Sequence, residues 1–162
     1  MTPNASLPPT ACLPRELVTS HVFLLGRLGS ELKKKAFDEL EAAGFGIHDY
    51  KVLALLGEGD CTAQSTMAEL IHVDRSQLVG LLDDLEERGL VERRRAKDDR
   101  RRHTLTLTSE GERQLRRLRE IVGRVEEDFL APLSAEERQQ LYALLAKLAV
   151  SHDARFAPSA AA

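Results

Sequence analysis

The sequence is poor in residues that build covalent or metal-held scaffolds: its 162 residues include two cysteines, two methionines and no tryptophan. Cys12 and Cys61 lie far apart with no CxxC spacing, which argues against a disulfide framework and a structural zinc site. No stretch approaches the roughly 18 consecutive apolar residues that a membrane-spanning helix requires. Residues 1–14 also lack the basic start and apolar run of a secretory signal. We therefore expect a cytoplasmic, single-domain protein with no membrane partner.

Catalytic and cofactor-binding patterns are missing as well. The chain has no nucleophile–base pair, no phosphate-binding glycine-rich loop, and no cluster of His, Cys and acidic residues at metal-ligand spacing. Cys12 has no basic neighbour before Arg15 to stabilise a thiolate, so we interpret it as an incidental thiol rather than an oxidant sensor. The sequence thus predicts no enzyme, no cofactor and no metal site.

The net charge of −3 is unevenly distributed along the chain. From Glu92 to Arg102 there are seven basic side chains against three acidic ones, an excess of four positive charges. Such a patch can neutralise phosphates of a nucleic acid, although a basic loop is also a common solubilising surface. The net negative charge of the whole chain therefore does not exclude a polyanionic binding partner.

The spacing of apolar residues predicts a mainly helical protein. Apolar side chains recur at steps of three and four from about residue 15 to residue 43, which predicts one long helix that ends at Gly44. Two shorter helices follow, at about 48–56 and 63–71. Asp74 and Gln77 have capping-box spacing and open another helix, which Gly89 ends. Residues 1–14, which include four prolines, are predicted to form a flexible arm.

The period then changes from helical to alternating. Residues 90–93 and 103–108 have the pattern of two antiparallel strands around a polar loop with a basic tip. Ser109 and Glu112 have capping-box spacing and open a helix that Pro132 interrupts, and Ser134 opens a last helix. The resulting order is a helix-turn-helix followed by a hairpin.

This order divides the chain into regions. We predict a lobe at 47–108 that contains the helix-turn-helix and the hairpin. Long helices at 15–46 and 109–151 flank it, and the tail at 152–162 is predicted to fray. The predicted fold class is mainly α with a small β-hairpin wing, a winged helix-turn-helix.

The second helix of the predicted helix-turn-helix begins with Arg75, Ser76 and Gln77. An α-helix fits the major groove of B-DNA, where arginine pairs with guanine and glutamine with adenine. The helix N-terminus and the basic hairpin add favourable contacts to phosphates and to the narrow minor groove. Each feature alone is common on a solvated surface, but their order favours a protein that binds double-stranded DNA.

These segments together resemble the MarR family of regulators. The resemblance rests on residues 74–79 (DRSQLV), 85–93 (LEERGLVER), 98–101 (DDRR) and 105–111 (LTLTSEG). It implies a two-fold homodimer, held through the first and last helices, that binds pseudo-palindromic operators. Members of this family are usually repressors, and many release DNA when a small phenolic or anionic ligand binds.

The resemblance also assigns roles to individual residues. Three positions fall on the recognition helix: Arg75, Ser76 and Gln77. Arg100 and Arg101 fall on the wing, where Arg101 is expected to enter the minor groove. Asp99 matches the acid that orients this arginine.

An effector pocket is implied between the long helices and the DNA-binding lobe. Four residues are candidates for lining it: His21, Leu25, Tyr50 and Leu53. Core packing is the alternative interpretation, and it is the favoured one for Leu25 and Leu53. The chain lacks the first-helix tryptophan of urate-responsive members, and Cys12 lies well before the reactive-cysteine position of peroxide-sensing members. Neither of those mechanisms is therefore predicted.

A second hypothesis of a different class is a protein-interaction module that keeps this fold but binds a protein or an RNA. The basic hairpin discriminates between the two hypotheses. A specific DNA-binding protein loses affinity steeply as salt rises, because its arginines release counterions from the phosphates.

Overall fold

A computed structural model describes residues 12–59, 64–95 and 103–157. The chain is mainly helical, with a two-stranded antiparallel sheet, as predicted. In chain order the elements are α1 (Arg15–Val18), α2 (His21–Ala42), α3 (Ile47–Gly57), α4 (Gln64–Ile71), α5 (Arg75–Glu87), β1 (Val91–Arg95), β2 (His103–Leu107), α6 (Ser109–Phe129), α7 (Ala135–His152) and a 3-10 turn (Ala154–Phe156). The predicted arm up to residue 11, the hairpin tip and the tail beyond residue 157 lie outside the described residues.

The prediction of one helix from residue 15 to residue 43 is wrong, because the helix breaks at Thr19 and Ser20. The Thr19 hydroxyl donates to the Arg15 carbonyl oxygen at 3.0 Å, and the Ser20 hydroxyl accepts from the Phe23 N–H at 3.4 Å. Side-chain hydroxyls of this kind compete with the backbone ladder and favour a helix end followed by a new N-cap. The apolar stripe continues across the break, so the spacing of apolar residues does not indicate it.

Four helices end with a residue in the left-handed conformation. Gly44 and Gly89 were predicted there, and their φ angles are 84° and 70°. Gly59, after α3, has φ 81°, and the fourth residue is His72, with φ 59°, in the turn between α4 and α5. The Val73 N–H donates to the Ala68 carbonyl at 3.1 Å across this turn, which closes it in the same way as the glycine turns.

The start of α6 also differs from prediction. Its N-cap is Thr108 rather than Ser109, and the Thr108 hydroxyl oxygen accepts from the Gly111 N–H at 3.0 Å. The same hydroxyl donates to the Gly89 carbonyl at 2.7 Å, so it joins the end of α5 to the start of α6. Because the third residue after Thr108 is a glycine, no side chain can return to complete a capping box. The capping box at Ser134 is confirmed.

The hydrophobic core lies inside the lobe formed by α3, α4, α5, the base of the hairpin and the first half of α6. Leu53, Leu78, Leu82, Leu85 and Leu118 are fully buried there. Burial of a leucine side chain contributes about 1.5–3 kcal/mol, so these residues fix the packing of α5 on its neighbours. By contrast, α7 has no buried residue. No helix among the described residues combines the length and the apolar character needed to cross a membrane.

Candidate nucleic-acid interface

The first turn of α5 is closed by a capping box at Asp74 and Gln77, as predicted. The Asp74 carboxylate accepts from the Gln77 N–H at 2.8 Å, and the Gln77 side-chain oxygen accepts from the Asp74 N–H at 3.2 Å. The Ser76 hydroxyl donates to the same carboxylate at 2.7 Å. The Gln77 N–H and then the Ser76 hydroxyl hold the pKa of Asp74 below its ordinary value.

This turn distinguishes the three predicted recognition residues from one another. Ser76 and Gln77 are exposed, but the Ser76 hydroxyl and the Gln77 side-chain oxygen already bond to Asp74. Arg75 is exposed, and no hydrogen bond or ion pair joins it to another described residue. Because bidentate pairing with adenine needs both the oxygen and the nitrogen of the amide, Gln77 would have to leave the box to read a base. Arg75 can contact a base without first breaking a hydrogen bond to another described residue.

The exposed face of α5 continues beyond the residues that the sequence pointed to. Val79 lies one helical turn after Arg75 and is 39% exposed. Gly80 follows it, and a methyl group added there would meet no atom within 4 Å. An apolar side chain can contact the methyl group of thymine, and a glycine lets the backbone approach closely. The spacing of four residues from Arg75 was the available signal for Val79.

The base of the hairpin is pinned to α5 by Arg93. The Arg93 guanidinium pairs with the Asp83 carboxylate, and its Nε lies 3.0 Å from a carboxylate oxygen of Glu86. One of the seven basic side chains in the hairpin is therefore balanced by acids of α5. Arg93 positions the described base of the hairpin beside α5. Arg100, Arg101 and the bracing Asp99 lie outside the described residues.

The four candidate effector residues are not gathered in one place. Leu53 is fully buried, which agrees with the alternative interpretation that it packs in the core. By contrast, Leu25 is 52% exposed and His21 is exposed. Tyr50 is half-buried and lines a cavity of about 390 Å³ between α3, the end of α4 and the 3-10 turn. The sequence did not identify the other side chains around this cavity, which include Lys51, Leu70, His72, Arg155 and Phe156.

The 3-10 turn at this cavity is held by an ion pair within the C-terminal segment. Nε of Arg155 donates to both carboxylate oxygens of Asp153 at 2.9 Å, and Nη2 donates to one of them at 2.6 Å. These bonds lower the pKa of Asp153 to about 2. Arg155 is therefore largely committed to Asp153, which leaves Lys51 and His72 as the other basic side chains of the cavity, beside the carboxylates of Glu58 and Asp153.

The order helix, turn, helix and antiparallel hairpin defines a winged helix-turn-helix. A family model described as the MarR family matches residues 47–103. A relative from Thauera aromatica, named "Putative transcriptional regulatory protein for hcr operon", is 38% identical over 99 residues. The match covers 61% of this chain and spans 60% of that relative's length.

Two solved structures share the fold over nearly their whole length. The CouR protein of Rhodococcus jostii RHA1, solved bound to p-coumaroyl-CoA, is 30% identical with a TM-score of 0.69. The alignment covers 84% of this chain and 96% of CouR. A MarR-family transcriptional regulator of Rhodococcus sp. RHA1 is 28% identical with a TM-score of 0.70. That alignment covers 84% of this chain and 98% of the regulator. The chain belongs to the MarR family.

Proposed function

We propose that this chain is a homodimeric transcriptional regulator that binds a pseudo-palindromic site in double-stranded DNA and represses transcription there. One observation carries the proposal. The exposed N-terminal half of α5 presents Arg75 and Val79 on one face, and Arg93 holds the described base of the hairpin beside this helix. This arrangement matches a helix that enters the major groove while the wing reaches the neighbouring minor groove. The regulatory name of the relative from Thauera aromatica supports the same function.

The dimer is supported by apolar side chains that the described part of the protomer leaves uncovered. On α7, Tyr142 is 74% exposed, Leu144 63% and Leu148 49%, and on α2 Val22 is 85% exposed. Helices in proteins gain most of their stability from the packing of an apolar face, and α7, with 18 residues, has no buried residue. A second copy of the chain that packs on α2 and α7 would cover these residues and place two recognition helices on successive major grooves.

A small anionic ligand is the proposed effector. CouR was solved with p-coumaroyl-CoA, in which an aromatic acyl group is joined to an anionic carrier. The cavity beside Tyr50 offers an apolar floor at Leu70 and Phe156 and basic side chains at Lys51 and His72. These residues suit an aromatic group and a negative charge respectively. Because the cavity adjoins the turn before α5, an occupant there can change the position of that helix.

The DNA-binding proposal is tested by selecting duplexes from a random pool and measuring affinity for the selected site at several salt concentrations. We expect an inverted repeat, and we expect Arg101→Ala to weaken binding by on the order of 1–3 kcal/mol and to reduce the salt slope by about one. The control is Arg113→Ala, which removes an equally charged side chain from the exposed face of α6. Equal affinities for wild type and Arg101→Ala would refute wing readout, and failure to select any duplex would refute the function.

The dimer and the effector need separate measurements. Leu148→Glu should convert the dimer to a monomer in light scattering, whereas Gln140→Glu, on a polar exposed position of the same helix, should not. Addition of p-coumaroyl-CoA should release the selected duplex. Release that is equally strong in a Tyr50→Ala, Lys51→Ala double variant would exclude the cavity as the effector site.

A further inference from the structure

The C-terminal end of α5 is joined to the end of α2 by one arginine. Arg88 is the C-cap residue of α5. Its guanidinium carbon lies 4.2 Å from the centroid of the Phe45 ring, and its Nη2 donates to the Gly44 carbonyl oxygen at 3.0 Å. Gly44 and Phe45 form the turn that ends α2, so this side chain connects the recognition helix to the helix that carries the exposed apolar stripe.

The same guanidinium also faces two carboxylates. Nη1 lies 3.3 Å from Asp84 on α5 and 3.7 Å from Asp49 at the start of α3. Asp49 is a buried acid, only 8% exposed, and its carboxylate also accepts from the Gly46 N–H at 2.8 Å. A buried carboxylate is costly unless it is paired and hydrogen-bonded, so removing Arg88 would leave an unfavourable charge in the α2–α3 elbow.

These contacts need the shape of arginine as well as its charge. A planar guanidinium can stack on an aromatic ring, donate to a carbonyl and face carboxylates in one fixed orientation. A lysine ammonium is a point charge on a flexible stem and cannot make these contacts together. Elsewhere α5 packs mainly against α3, α4 and β1, and Arg88 adds a direct polar connection to the end of α2.

We propose that Arg88 is a positioning residue that fixes the tilt of α5 relative to α2, and thereby the spacing between half-sites that the protein accepts. The proposal rests on the proposed function, since α2 sets the dimer axis and α5 reads DNA. One added base pair rotates a half-site by about 34° around the helix axis, because a turn contains about 10.5 base pairs. Only a rigidly held α5 can discriminate against such a rotation.

The first test compares wild type with Arg88→Lys on the selected inverted repeat and on repeats lengthened or shortened by one base pair. We expect wild type to lose about tenfold or more in affinity at the wrong spacing. Arg88→Lys should bind the original repeat more weakly and lose less than about threefold between spacings. Arg113→Lys, the same change at an exposed surface pair on α6, should behave as wild type. An unchanged spacing preference in Arg88→Lys overturns the proposal.

A second measurement needs neither DNA nor dimerisation. Spin labels are placed at Lys34 on α2 and Val79 on α5, both exposed, in a chain with Cys12→Ser and Cys61→Ser. The labelled chain is diluted with unlabelled chain, so that distances within one protomer dominate. We expect Arg88→Lys to broaden or shift the distance distribution at unchanged helical content, and Arg113→Lys to leave it as in wild type. Identical distributions for wild type and Arg88→Lys overturn the proposal.

The two measurements separate the possible failures. If wild type selects no duplex, the proposed function fails, and the label distances still decide whether Arg88 positions α5. If Arg88→Lys does not fold, Asp49→Asn replaces it, because the amide oxygen keeps the bond to Gly46 while the buried charge that faces Arg88 is removed. Asp49→Asn should then broaden the label distances, and an unchanged distribution counts against the proposal.

Discussion

Gly111 in the first turn of α6 sits against the backbone of another element, and its replacement by alanine tests the packing of the hairpin. A Cβ at this position would lie 2.0 Å from the Leu90 carbonyl oxygen and 3.3 Å from Cδ2 of Leu107. The obstacle is backbone, which cannot turn aside as a side chain can. The Leu90 carbonyl also accepts from the Thr108 N–H at 3.0 Å, so moving it breaks a bond at the hairpin base.

The expected magnitude for Gly111→Ala combines three contributions. Overpacking costs about 1–3 kcal/mol, and loss of the Leu90–Thr108 hydrogen bond costs about 0.5–1.5 kcal/mol. The higher helix propensity of alanine returns about 1 kcal/mol. We expect the free energy of unfolding to fall by about 0.5–3.5 kcal/mol.

Urea unfolding followed by circular dichroism provides the measurement, and Gly123→Ala provides the matched control. Gly123 lies in the same helix, and a Cβ there would meet no atom within 4 Å. The Gly123→Ala substitution should therefore raise the free energy of unfolding by about 0.5–1 kcal/mol, because alanine lowers the conformational entropy of the unfolded chain. Opposite signs for the two substitutions are the expected result. A Gly111→Ala variant as stable as wild type would refute the close approach of α6 to Leu90.

Three further predictions follow from other contacts. Gly80→Ala should raise the free energy of unfolding by about 0.5–1 kcal/mol but weaken duplex binding, because the added methyl group has open space yet stands on the proposed DNA-binding face. Arg93→Ala should change the free energy of unfolding by less than about 1 kcal/mol, as exposed ion pairs do, and should weaken duplex binding because Asp83 and Glu86 lose their partner. The Asp153 carboxylate should titrate near pH 2 by carbon-13 NMR, since its pKa is lowered from 3.8 to about 2. Its stabilising effect is thus present above pH 3.8 and lost as the pH falls through about 2, and an Asp153→Asn variant should not show this loss.

Local chemistry explains which parts of the fold could be predicted. The capping boxes at Asp74 and Ser134 and the left-handed glycines at 44 and 89 each depend on residues within one turn of chain. The periodicity of the apolar residues likewise gave the order of the helices and strands. The break at Ser20 was missed because an apolar stripe runs across it, and the cap at Thr108 because Ser109 and Glu112 have the spacing of a capping box.

The contacts that join distant segments could not be derived in this way. Arg88 meets Gly44, Phe45 and Asp49, which precede it by more than one secondary-structure element. Arg93 likewise appeared as one basic residue among seven until its pairing with Asp83 and Glu86 was seen. Charge counting along the chain identifies a basic hairpin, but only the packing shows which of its charges are already balanced.

The closed turn at Asp74, Ser76 and Gln77 has a consequence for the thermodynamics of recognition. Because this turn is fully ordered before DNA arrives, binding loses little conformational entropy there. Any hydrogen bond from Gln77 to a base replaces one that it already makes to Asp74, so a correct base pair gains only the difference between the two bonds. At an incorrect base pair Gln77 can keep its bond to Asp74, so the turn stays closed and only the base edge is left unpaired. Discrimination by Gln77 would therefore be smaller than that of a glutamine whose amide oxygen has no partner in the free protein.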